Sequence, residues 1–155
     1  MTSTLEFLPV PAQVLERIRA TGRDAFGNAA TPQARVAGLP LRCCLRLSRD
    51  GERVLLVAHR PSEHGGPYAE VGPVFVHAEA CEGYRTPDTF PAEFRDRRAV
   101  LRPYDAAGLM LDGVLAEPGQ SERLVGELLA DPRVAQVQVR NVVAGCWNFT
   151  VRRAA

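Results

Sequence analysis

The stretch LRCCLRLSRDGERVLLVAHR, residues 41–60, reads as two strands around a turn. Leu41 to Ser48 and Arg53 to Arg60 are apolar or alternating, and Asp50-Gly51 between them is a strong hairpin signal. Pairing across that turn sets Arg49 against Glu52 and Ser48 against Arg53. Period-two geometry then places Leu41, Cys43, Leu45 and Leu47 on one face with Val54, Leu56 and Ala58. The other face carries Arg42, Cys44 and Arg46 beside Leu55, Val57 and His59. His59 lies opposite Arg42 in this register and diagonal to Cys44. A slip by one residue would reverse the faces of one strand, so the register is testable.

Outward from the hairpin, Leu5 to Val10 reads as a short strand. Pro11 suits a first helical position, and Val14, Leu15 and Ile18 form a helical stripe ending at Gly22. Residues 23–40 are small, polar and broken by Pro32, Gly38 and Pro40, which predicts an irregular connection. After a loop at 61–72, Val74 to Glu79 is the next strand, with Pro73 confined to its start or to an edge. A short helix is expected around FPAEFRDR at 90–97, and a second hairpin joins Val100–Tyr104 to Leu109–Leu115. Leu124, Val125, Leu128 and Leu129 mark a second helix that stops at Asp131-Pro132. Val134–Asn141 and Cys146–Arg152 close the chain as a strand pair, with Trp147, Phe149 and Val151 on one parity. The expected architecture is a single α+β domain over residues 1–155. It has a largely antiparallel sheet of about seven strands and two main helices in a single layer on that sheet.

With 155 residues, the chain is long enough to bury roughly 70% of the surface of its unfolded form, so it needs no disulfide to fold. Hydrophobic content of 46%, charged content of 24% and a net charge of +1 describe an ordinary soluble globule. So small a net charge argues against nucleic acid or an anionic membrane as partner. All nineteen basic residues are arginine, which excludes a Schiff-base or phosphate-loop lysine. Abundant Ala, Gly and Pro point to a GC-rich coding sequence as the source of that bias. The opening MTSTLEFLPVP lacks the basic-then-apolar pattern of a signal peptide. Four cysteines without framework spacing imply free thiols in a reducing cytoplasm.

Residues 59–84 hold all three histidines, with glycines and prolines between them. Thiol chemistry would use Cys44, whose cationic neighbours Arg42 and Arg46 favour the thiolate, or Cys81, with His59 or His77 as base. Ligand binding would use Arg42, Tyr68, Glu70 and Glu79, where glycines 65, 66 and 72 let a ligand approach the backbone. His77, Glu79 and Cys81 alternate on one strand parity as candidate metal ligands. Alternate residues stand roughly 6–7 Å apart, so three side chains on one strand converge poorly. There is no CxxC and no HExxH, and neither a metal nor another cofactor is expected.

The segments GLPLRCCLRLSR at 38–49, GPYAEVGPVFVHAE at 66–79, MLDG at 110–113, and ADPRVAQVQVRNV with the following Gly-Cys at 130–146 resemble a bacterial family of uncharacterised proteins of about this length, a domain of unknown function. The resemblance implies a bacterial cytoplasmic home and no particular activity. Three readings stand side by side. The leading one is a small domain that binds a small molecule in a pocket around residues 59–84. The others are a thiol-dependent enzyme with a Cys/His pair, and a non-catalytic interaction module whose sheet edge pairs with a partner or a second copy.

Overall fold

A computed structural model describes residues 4–155 of the chain. The strands, in chain order, are β1 (Leu5–Leu8), β2 (Thr31–Pro32), β3 (Pro40–Leu41), β4 (Arg46–Leu47), β5 (Val54–His59), β6 (Gly72–His77), β7 (Ala99–Tyr104), β8 (Val114–Ala116), β9 (Gln136–Arg140) and β10 (Trp147–Arg153). The helices are α1 (Ala12–Thr21) and α2 (Ser121–Ala130), and Ala92–Phe94 forms one 3-10 turn. The fold is α+β and mostly antiparallel, as expected. It departs from expectation in having two five-stranded sheets among the described residues rather than one sheet of about seven strands. The first has the order β1-β10-β9-β7-β8 and the second β2-β5-β6-β3-β4. Among the described residues, β3 with β6 is the one parallel pairing.

Two sheets need two cores, and the helices are divided between them. Phe149 and Val151 of β10 join Leu101, Val137 and Val139 of the first sheet with Val125 and Leu129 of α2. Phe7, Phe90 and Phe94 pack edge-on around Phe149, with ring centroids 5.6–6.2 Å apart. Leu15 and Ile18 of α1 instead pack with Val54, Val57, Val74 and Val76 of the second sheet. The expected single helix layer is therefore replaced by one helix on each sheet.

β10 links the two cores through a bulge. Its register against β9 shifts between Trp147 and Phe149, so Trp147 escapes the parity of Phe149 and enters the second core.

The hairpin expected at 41–60 does not form. Pro40 pairs with Leu47 and Leu41 with Arg46, so the run 41–48 folds back on itself through a turn at residues 42–45. β5 pairs instead with β6 and β2, in the register Val54↔His77 to His59↔Gly72. Asp50-Gly51 does turn the chain, with Gly51 at φ 87° and Glu52 N–H donating to Arg49 O at 3.2 Å. That turn joins strands that are not neighbours, because β3 and β6 lie between β4 and β5.

Candidate functional site

The turn at 42–45 brings consecutive cysteines to one point. Leu45 N–H donates to Leu41 O at 3.1 Å, and Leu45 takes φ 55°, a left-handed conformation costing on the order of 1 kcal/mol for such a residue. That strain is held because Leu45 is buried in the first core while Cys43 is buried in the second. His77 is the last residue of β6, and beyond it the chain leaves the sheet. Cys81 is thus released from strand spacing and turns back toward His77. Arg19 of α1 holds this exit, donating to His77 O at 3.3 and 3.2 Å, with Nη2 3.9 Å from Cys81 Sγ.

One ligand-type atom from each of Cys43, Cys44, His77 and Cys81 lies within 4.8 Å of the others. Cys43 Sγ is 3.8 Å from Cys44 Sγ, and His77 Nδ1 is 3.5 Å from the first and 3.7 Å from the second. The backbone N–H of His77 donates to Cys43 Sγ at 3.3 Å. Glu52 Oε2 lies 2.7 Å from His77 Nε2; a carboxylate only accepts, so Nε2 carries the proton. Arg46 grips both Glu52 oxygens at 2.8 and 2.7 Å, and Arg49 N–H donates to the same carboxylate.

These contacts displace the titrations. Hydrogen bonding to Cys43, reinforced by Glu52, raises His77 to about 9 despite burial. The contact with Cys43 also lowers Cys44. Cys81 is pushed up to about 12 by Cys43 and by burial. The Arg46 fork holds Glu52 well below the usual carboxylate range.

A cleft of about 560 Å3 opens over the cluster, lined by Cys44, His77 and Cys81 together with Arg35, Arg46, Glu52, Arg53, Glu79 and the segment to Gly83. Cys44 and His77 meet there. His59 does not join them: it stands at the opposite end of the β5–β6 ladder from His77, five residues and roughly 16 Å along the strands. Its ring packs on Trp147 with centroids 5.3 Å apart, and burial lowers it to about 4. The pairing of His59 with Cys44 fails because it depended on the hairpin register.

Arg42 is buried to 1% exposure and donates to Trp147 O at 2.8 Å, Pro40 O at 2.7 Å and Cys146 Sγ at 3.2 Å, away from the cleft. Tyr68 packs edge-on against Tyr104, and Glu70 pairs with Arg102 and Arg140, so neither lines the cleft. Glu79 lines its rim but pairs with Arg53 at 3.0 Å and stays outside the thiol–imidazole cluster.

Cys43, Glu52 and Arg19 were not singled out by the sequence reading. The adjacency of Cys43 and Cys44 was the available signal; period two hid it by sending the pair to opposite faces.

Fold and site together define a two-sheet α+β domain with a thiol–imidazole cluster at the floor of a cleft. The chain belongs to the family described as "Protein of unknown function (DUF1203)", whose model matches residues 38–153. That span contains all four residues of the cluster. No curated protein and no solved structure matches the chain. Among the described residues, no helix is long and apolar enough to cross a membrane.

Proposed function

We propose that the domain binds a small acidic molecule in the cleft above Cys44, His77 and Cys81. The observation that supports this is the opening of Arg35 onto the same volume of about 560 Å3, with no carboxylate partner for Arg35 among the described residues. That volume falls within the range of small-molecule sites. Arg46 is committed to Glu52, whereas the Arg53–Glu79 pair is well exposed at 58% and 72% and worth little, so Arg53 is free to exchange partners. A carboxylate or phosphate at the mouth would meet both arginines and place the rest of the ligand over the cluster. Four free cysteines suit a reducing compartment such as the cytoplasm.

Calorimetric titration of the full chain with a panel of small carboxylates and phosphate monoesters tests the reading. At least one member binds, and an Arg35→Ala/Arg53→Ala variant weakens it tenfold or more. Binding by no member at millimolar concentration, or equal binding by the variant, contradicts it.

The separation of 3.7 Å between Cys44 Sγ and His77 Nδ1 favours a second reading, thiol chemistry at Cys44. Fast alkylation of Cys44 at neutral pH, slowed in His77→Gln, would support it. A metal on the same sulfur would block it.

A further inference from the structure

We propose that Cys43, Cys44, His77 and Cys81 hold one zinc ion in a closed tetrahedral centre. This goes beyond the ligand reading and does not depend on it. It also reverses the sequence expectation of no metal, which rested on His77, Glu79 and Cys81 sharing one strand. Cys81 lies past the end of β6, and Cys43 and Cys44 arrive from a separate turn.

Zinc bound at about 2.3 Å from sulfur and about 2.0–2.1 Å from imidazole nitrogen sets tetrahedral edges of roughly 3.8 Å between sulfurs and roughly 3.5 Å from sulfur to nitrogen. The Cys43–Cys44 edge is 3.8 Å, and the two edges to His77 Nδ1 are 3.5 and 3.7 Å. Cys81 Sγ completes the set within 4.8 Å. A disulfide would instead bring two of these sulfurs to about 2.05 Å. A donor set of three sulfurs and one imidazole matches the preference of zinc.

The surroundings fit a metal ligand set. His77 gives its Nε2–H to Glu52, which leaves the Nδ1 lone pair for the ion, and Glu52 is itself fixed by Arg46 and Arg49. Such carboxylate–histidine–metal arrangements orient the ring and raise its donor strength. Three thiolates around Zn2+ leave one net negative charge. The N–H of His77, pointing at Cys43 Sγ, and the Arg19 guanidinium near Cys81 Sγ both offset it. On binding, the thiol protons and any proton on Nδ1 pass to solvent, so uptake is proton-coupled. With four protein ligands the centre keeps no open position, and its role is to tie the 42–45 turn and the loop after β6 to the sheet.

The test is metal analysis and cobalt titration of the full chain purified without a histidine tag. One zinc per chain is expected, and Co2+ added to chelator-treated protein gives the intense visible and thiolate charge-transfer bands of a tetrahedral sulfur site. Glu52→Gln keeps all four ligands and lowers affinity for the ion about 10–100-fold. Cys81→Ala removes the tetrahedral spectrum. Failure of chelator-treated protein that remains folded to take up either Zn2+ or Co2+ overturns the proposal. So does metal retained with the same spectrum by Cys43→Ala and Cys81→Ala. Zinc at one per chain without small-molecule binding would sink the cleft reading and leave the centre standing.

Discussion

Glu52 Oε2 stands 2.7 Å from His77 Nε2, joining the turn after β4 to the last residue of β6. Because Arg46 holds the same carboxylate, one glutamate fixes both the histidine ring and the edge strand. Glu52→Ala frees the ring and leaves Arg46 without its ion pair. With both partners partly exposed, the loss is set at about 1–2 kcal/mol, read as a fall in the urea midpoint. A midpoint unchanged from wild type would show that the contact orients nothing.

If zinc occupies the proposed centre, its removal is expected to destabilise the fold. A ligand at a thousand times its dissociation constant adds about 4 kcal/mol. Chelation is therefore expected to lower the melting temperature by about 10 °C, with recovery on adding Zn2+. A Tm indifferent to chelator and zinc is the opposing result.

Arg42 belongs to the fold and not to the cleft. Arg42→Ala leaves the carbonyls of Trp147 and Pro40 without their donor and opens a cavity between the sheets. The predicted loss is about 3 kcal/mol or more by urea unfolding. Ligand and metal binding by the protein that remains folded should match wild type; weakened binding at equal folding would place Arg42 in the site.

His59 gives the stability a definite pH dependence. Burial holds it neutral, with its folded pKa lowered to about 4 against about 6.5 when unfolded. Its contribution is fully present above pH 6.5, because neither state then binds the proton. As pH falls from 6.5 toward 4 the unfolded chain protonates first, and roughly 3 kcal/mol is lost. Unfolding free energies at pH 7.5, 5.5 and 4.5 should fall less steeply in His59→Phe. Identical slopes would assign the acid sensitivity to other groups.

The helices and the closing strands were legible because their patterns are local. Leu15 and Ile18, or Val125 and Leu129, each lie on one helical stripe that no other period explains. The stretch 41–60 misled because its alternation and its Asp50-Gly51 turn satisfy hairpin rules, while the fold is decided by Leu45 at positive φ. A leucine gives no sign of a left-handed turn. Trp147 misled in the same way, since the bulge after it changes parity without a glycine or proline to mark it. Three of the four cluster residues were visible, in Cys44, His77 and Cys81, although Cys81 was placed on the strand with Glu79. Cys43 was sent to the wrong face by period two, and Glu52 joins only through tertiary folding.

The absorption-edge spectrum of zinc in the untagged protein tests the centre most directly. Three sulfurs at about 2.3 Å and one nitrogen at about 2.0–2.1 Å are predicted as the first shell. A shell of oxygen and nitrogen alone, or protein that binds no zinc, would contradict the assignment of Cys43, Cys44, His77 and Cys81 to one metal site.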